Sequence, residues 1–273
     1  MVKLTFSKFY NYQGLTDFLK GMEVLYPNLI SLLSLAKTPE GREVWCAKVT
    51  SKDSNIPISG RPGYLALGNM HSIELAGSMA CLYLLERLVR GYEKEKHIKD
   101  LLNRQVFYII PRLSMDGAEY SLTTLRNVRS RRIDLREKNV VFPEDLDGDG
   151  KILSMRWQAP DGNYKLSNKD PRLPIPRNPW DWEGPFYHMW AEGLIHDWDG
   201  ESIESSRIWP DFNRDFPANW QPAPEVIGHG DGPLSNPETK GLAEFVLSRP
   251  NIVNAIDFHT GNSAVFIRSE ERR

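Results

Sequence analysis

Apolar positions recur at helical spacing from Leu15 to Tyr26, and Ile30 to Ala36 and Glu43 to Val49 then read as strands. The turn Thr38-Pro39-Glu40-Gly41 separates these two strands, so the chain opens as a helix followed by a hairpin. Tyr64 to Leu67 is a short buried strand. Leu75, Met79, Leu82, Leu85 and Val89 then line one face of a helix over Glu74 to Val89. A charged helix ending near Leu102 precedes a buried strand, Val106 to Ile110, and a helix over Pro237 to Leu247 precedes another, Ile252 to Phe258. Strands separated by helices predict an α/β fold, three layers deep (α/β/α), with a mixed, mostly parallel central sheet.

The texture changes between about residues 133 and 207. Ten of the 19 prolines lie between Pro160 and Pro224, and seven of the eight tryptophans between Trp157 and Trp220. Proline removes ladder donors and stops helices, so this stretch reads as a long ordered insertion with an aromatic core, not as a regular layer of the sheet. At 273 residues and 40% hydrophobic, the chain is expected to form one large domain over residues 1–273 carrying that insertion. The 34 basic and 36 acidic residues are dispersed, which gives no electrostatic case for nucleic acid or an anionic membrane as partner. No apolar run reaches the roughly 18 residues a membrane span needs, and no apolar signal core follows Lys3. The chain as given therefore reads as soluble, untargeted and cytoplasmic by default. Cys46 in a strand and Cys81 in a helix read as two buried thiols, not as a disulfide framework.

Candidate chemistry begins at Gly68-Asn69-Met70-His71-Ser72-Ile73-Glu74, where a strand ends and a helix starts, at the carboxyl edge of the sheet. His71 and Glu74 are three apart, which lets an imidazole nitrogen and a carboxylate converge on one ion. A His-x-x-Glu pair alone is a weak sign and needs a third ligand. His259 follows the strand that ends in Asp257-Phe258 and emerges at the same edge if the strands run parallel. Two histidines, a glutamate and an open fourth position make a catalytic zinc site.

These segments, together with Ile110-Pro111-Arg112-Leu113-Ser114-Met115-Asp116-Gly117, Asp211-Phe212-Asn213-Arg214-Asp215-Phe216-Pro217 and Ser235-Asn236-Pro237-Glu238-Thr239, resemble the zinc carboxypeptidase family in order and context. The resemblance runs from Tyr10 to about Ile267. It implies a peptidase that removes a C-terminal residue from a peptide or a peptidoglycan stem peptide, with Zn2+ held by His71, Glu74 and His259. It implies further that Asn213 and Arg214 hold the substrate's terminal carboxylate, for which the planar arginine fork is suited. The oxyanion arginine of the family falls on Arg126 or Arg129, and the serine after Arg129 favours the latter. A zinc amide deacylase of the same fold, or a zinc- and peptide-binding domain without turnover, is the alternative.

Three departures from the family pattern stand out. Ser114-Met115 replaces the usual Asn-Pro, which is expected to alter only a turn, and the insertion before Asn213 is longer than in compact members. The third is that only 14 residues follow His259. In the family a glutamate general base and a tyrosine come several tens of residues later, so the resemblance implies that the C-terminal part of the family fold is missing from this chain. Glu270 and Glu271 lie too near His259 to match that base. A fragment of a longer polypeptide is the expectation, a naturally short zinc-binding protein the alternative. Losing a positioned general base costs about a hundred- to ten-thousandfold in rate.

One motif stands apart. Asp145, Asp147 and Asp149 at alternating positions, with Gly150 sixth and Ile152 eighth, resemble the first part of a calcium loop. Arg156 occupies the twelfth position, where a bidentate glutamate belongs, so Ca2+ there needs an outside ligand such as Asp161.

Overall fold

The computed structural model describes residues 3–131, 138–201, 203, 210–222, 228 and 230–261. In chain order the elements are α1 (Tyr12–Leu25), β1 (Ile30–Lys37), β2 (Glu43–Val49), β3 (Gly63–Gly68), α2 (Leu75–Gly91), α3 (Lys96–Arg104), β4 (Val106–Ile110) and α4 (Met115–Thr123). Six short strands follow: β5 (Val141–Pro143), β6 (Ser154–Gln158), β7 (Tyr164–Leu166), β8 (Pro174–Pro176), β9 (Tyr187–Ala191) and β10 (Gly193–Ile195). The chain closes on a 3-10 turn, Phe212–Arg214, then α5 (Pro237–Leu247) and β11 (Ile252–Phe258).

The chain packs as two compact units, one of Met1–Thr123, Asn127–Ile133 and Ile208–Arg273, the other of Thr124–Arg126 and Asp134–Arg207. The first is built on a mixed sheet ordered β1-β2-β4-β3-β11. The β1, β2 and β4 pairings are antiparallel, whereas β4, β3 and β11 run parallel. The centre of the sheet is apolar throughout: Val106, Tyr108, Ile109 and Ile110 of β4 are all buried, as a strand covered by helices on both faces must be. Leu82 and Leu85 of α2, Leu15 and Leu19 of α1, and Phe245 of α5 complete that core. Tyr108 meets Phe245 edge-on with ring centroids 5.4 Å apart. Cys46 and Cys81 are free and buried within it, and burial pushes the Cys46 thiol up to about 12.

Two differences from the sequence reading have clear physical causes. The strand read as buried, Ile252–Phe258, lies at the edge of the described sheet, with Val253 and Ile256 63% and 51% exposed. Its apolar side chains match a central strand, so hydrophobicity alone misplaces it. The Pro- and Trp-rich stretch holds sheets of its own, a four-stranded one ordered β6-β9-β7-β8 and the pair β10-β5. Proline is accommodated there because Pro174 and Pro176 sit on β8, at the rim of that sheet. Among the described residues no helix is long and apolar enough to cross a membrane.

One buried group works against the fold. Glu238, in the first turn of α5, is fully buried, and neither carboxyl oxygen has a hydrogen-bond partner among the described residues. Burial raises its pKa to about 7. Below the unfolded value near 4.5 both states are protonated and the group is neutral to stability; as pH rises towards 7 the unfolded chain ionises first and stability falls. Glu238→Gln is expected to stabilise the protein at pH 8 by on the order of 1–3 kcal/mol and by far less near pH 4.5. Urea midpoints at the two pH values check this; a variant that is less stable at pH 8 would refute it.

Candidate metal centre

The loop after β3 is shaped before any ligand is placed. Asn69 has φ 57°, in the left-handed region where asparagine is among the few tolerated side chains. Its Nδ2 donates to the carbonyls of His71 and Ser72, the latter at 3.1 Å, and its Oδ1 accepts Arg112 Nε at 3.0 Å. Arg112 is itself buried and donates from Nη2 to the Tyr10 carbonyl at 2.8 Å. Burial lowers its pKa to about 10, which leaves it cationic at neutral pH. A buried charge thus fixes the turn that presents His71.

Parallel pairing brings the third residue to the same place. Gly68 is opposite Phe258 in the β3–β11 register, so His71 and His259 leave the sheet at one carboxyl edge. There the strand order reverses direction about β3, the position where open α/β sheets bind ligands. His71 Nδ1 lies 2.9 Å from Glu74 Oε1, and His259 Nδ1 lies 2.8 Å from Glu74 Oε2. Donor atoms of all three fall within 4.8 Å of one another. His71 and Glu74 are buried, and His259 is 36% exposed, which leaves the cluster open on one side.

The far nitrogens are also engaged, His71 Nε2 with Asp211 Oδ1 at 3.1 Å and His259 Nε2 with Asp257 Oδ2 at 3.0 Å. Each imidazole therefore has carboxylate oxygen at both nitrogens. A neutral imidazole has one donor and one lone pair, so it cannot satisfy both. A cation facing the two Nδ1 atoms and Glu74 resolves both conflicts, while Asp211 and Asp257 keep the Nε2 protons and so set the tautomer. The donor set fits zinc. Burial alone would push Asp211 up, but hydrogen bonds from His71 and Arg129 together hold its carboxyl well below the usual carboxylate range.

The segment around Ser130 ties the loop that bears His71 to the turn that follows Asp211. Ser72 N donates to the Arg129 carbonyl at 2.8 Å, Ser130 Oγ donates to the Met70 carbonyl at 3.1 Å, and Phe212 N donates to Ser130 Oγ at 3.1 Å. Arg129 Nε meets Asp211 Oδ2 at 2.9 Å. The chain passes so close to α4 that a Cβ on Gly117 would stand 2.0 Å from the Ser130 carbonyl oxygen, which only glycine allows. The substituted residue Ser114 also acts here, since its hydroxyl donates to the Ser130 carbonyl.

The two arginines that the sequence left open have different surroundings. Arg129 joins the His71–Asp211 network. Arg126 belongs to the second unit, with Nη2 3.5 Å from Glu144 and its guanidinium over the Phe142 ring. Asn213 and Arg214 are exposed on the 3-10 turn after Asp211, and the only bond from the Arg214 guanidinium among the described residues is to the Asn213 carbonyl, 3.1 Å. Asp215, fully buried, caps that turn and accepts Ser235 N, Ser235 Oγ, Asn236 N and the Thr239 hydroxyl at the start of α5. The structural roles of Asp211, Asp215 and Ser130 were not read from the sequence. Their one signal is position, each flanking a residue already singled out.

In the second unit Asp145, Asp147 and Asp149 bring carboxylate oxygens within 4.8 Å of one another. They accept backbone amides of their own turn: Gly148 and Gly150 on Asp145, Asp149 on Asp147, and Lys151 on Asp149. Arg156 turns to the Tyr187 ring, and Asp161 pairs with His188 at 3.2 Å. This is the bonding of a self-satisfied acidic turn.

Residues 15–178 match the model of the zinc carboxypeptidase family, and the chain belongs to that family. The matched span holds His71, Glu74, Arg126 and Arg129; it stops before Asn213, Arg214 and His259. A zinc carboxypeptidase of Saccharothrix mutabilis subsp. capreolus is 29% identical over 119 residues, 44% of this chain and 27% of that protein. An inactive metallocarboxypeptidase of Uncinocarpus reesii is 25% identical over 59% of this chain and 28% of its own length. Carboxypeptidase A from Helicoverpa armigera superposes with a TM-score of 0.62 at 18% identity, over 96% of this chain and 48% of that one, a likeness of fold. The chain thus spans about a quarter to a half of the length of these three proteins.

The closeness of α2 to the His259 strand can be tested. A Cβ on Gly77 would stand 2.6 Å from the Phe258 carbonyl oxygen. Gly→Ala inside an ordinary helix stabilises by about 1 kcal/mol. Gly77→Ala should instead destabilise by roughly 1–3 kcal/mol, read as a lower urea midpoint, and a stabilised variant would show that the contact is slack.

Proposed function

We propose that this chain carries the metal centre and the substrate-carboxylate site of a zinc metallocarboxypeptidase acting on the C-terminal peptide bond of peptides. The observation that carries this reading is the convergence of His71 Nδ1, His259 Nδ1 and the Glu74 carboxylate at the carboxyl edge of the sheet. His71, Glu74 and His259 would hold the zinc, which would supply the Lewis acid that activates water for attack on a carbonyl near neutral pH. Asp211 orients His71 and stays ionised, and Asp257 orients His259 from the other side. Arg129, anchored on Asp211 through Nε, keeps its remaining guanidinium N–H groups for the oxyanion that develops on the substrate carbonyl. Arg214, exposed and without an ion pair among the described residues, takes the terminal carboxylate through two parallel hydrogen bonds, with Asn213 beside it. A peptide bearing a free C-terminus is the substrate class this arrangement supports, and a peptidoglycan stem peptide is one member of it.

A second reading, zinc and peptide binding without turnover, has the inactive fungal relative in its favour. Binding and cleavage separate the two.

Elemental analysis of the purified chain is expected to give about one zinc per chain, lost in both His71→Ala and His259→Ala. Asp211→Asn should retain the metal but weaken its affinity about 10–100-fold in a chelator competition. A chain that binds no zinc, or binds it equally well after both histidine substitutions, would overturn the assignment.

Arg214 has its own test. Calorimetry with an N-acylated dipeptide should show that Arg214→Ala weakens binding of the free acid by on the order of a hundredfold and leaves the C-terminal amide unaffected. Equal loss for acid and amide would remove the carboxylate role.

A further inference from the structure

The four-stranded sheet of the second unit has a face that the metal centre does not use. In the β6–β9 ladder Trp157 is opposite His188, and Met155 is opposite Trp190. Alternation along each strand therefore puts Trp157, His188 and Trp190 on one side of the sheet. The two indoles are stacked, with centroids 6.2 Å apart and planes inclined by 9°, and Trp157 lies 5.7 Å from the His188 ring. A cavity of about 310 Å³ opens on this face, lined by Trp157, Trp190, Trp198, His188, Asp161 and Glu201. That volume is at the small end of ligand pockets.

The chemistry of the lining selects what can enter. Indole faces carry negative potential, and Asp161 and Glu201 add formal negative charge. Asp161 is held below the usual carboxylate range by a backbone N–H and by His188, with Arg177 contributing at longer range, so it is ionised at neutral pH. An anion is repelled. A neutral apolar group gains the rings but nothing from the two carboxylates.

We propose that this pocket binds an alkylammonium group, its charge against the Trp157 and Trp190 faces and between Asp161 and Glu201. The site lies wholly in the second unit and does not depend on zinc or on peptide hydrolysis.

Choline chloride is the probe, with dimethylbutanol as its uncharged carbon isostere and an acetylated lysine amide as the primary ammonium. Binding is followed on the indole N–H signals of the full chain by nitrogen–proton correlation spectra, with Trp190→Phe assigning the Trp190 signal. Choline or the lysine derivative should move that signal saturably, with a dissociation constant on the order of 1 mM, and the alcohol should bind at least about fivefold more weakly. Which of the two cations binds more tightly tells a quaternary from a primary ammonium site. Asp161→Asn combined with Glu201→Gln changes exposed side chains and should weaken the tighter cation roughly fivefold. Equal binding of the alcohol would make the cavity an apolar slot. No shift at about 100 mM of either cation, a level well above the expected constant, would make the tryptophan pair a structural stack only. Either result overturns the proposal. Should the double variant fail to fold, the comparison of choline with the alcohol on the unmodified chain still decides.

Discussion

The parallel pairing of β3 with β11 is the constraint on which the candidate metal centre depends. His71 and His259 are 188 residues apart in the chain, and no local spacing rule relates them. They meet because Gly68 and Phe258 are opposite each other in the ladder and each strand releases its histidine within a few residues of that point. A shift of two residues along β11 would preserve the side-chain faces yet carry His259 roughly 7 Å away, beyond ligand reach. Gly77 protects the register from the helix side, because its missing side chain lets α2 lie against the Phe258 carbonyl.

Electrostatics then decides what the meeting point can hold. Three carboxylates, Glu74, Asp211 and Asp257, surround two imidazoles, and the Arg129 guanidinium is the one permanent cation bonded into that group among the described residues. Such an excess of acceptors in a largely buried cluster is costly unless positive charge is supplied. Protonated imidazoles supply it in one way and a divalent ion in another, and only the second frees the Nδ1 atoms to act as ligands. The family to which the chain belongs makes zinc the natural choice.

What the sequence disclosed and what it hid divide along physical lines. Long-period signals were legible. The apolar strands and the α2 face follow from burial, and His71, Glu74 and His259 stand out because ligand-bearing residues cluster where such strands end. The 3-10 turn bearing Asn213 and Arg214 was reached through its motif. Other features were hidden because they depend on partners distant in sequence. Asp211 is one polar residue among many until His71 Nε2 and Arg129 Nε are found beside it. The nine-residue α4 was missed because Gly117 reads as a turn signal, whereas here glycine serves the Ser130 crossing. Strands of three to five residues rimmed by proline carry too little periodicity to separate from a loop, so the second unit was read as a long ordered insertion and its sheets were missed.

The same reasoning explains how the exposed arginine proposed as the carboxylate site is held in place. A three-residue 3-10 turn cannot hold its own geometry, since it closes too few hydrogen bonds to offset the backbone entropy it gives up. Asp215 supplies the missing restraint. Its buried carboxylate accepts the amides of Ser235 and Asn236 at 3.2 and 3.1 Å and two hydroxyls of the same segment, and so anchors the turn to the N-terminus of α5. A carboxylate there is favoured by the helix dipole as well as by the unsatisfied amides. Helix α5 runs on into β11, which ends at His259. One helix therefore sets the position of the arginine at its start and of the strand that delivers the last imidazole at its end, which couples the proposed substrate-carboxylate site to the candidate metal site through a single rigid element.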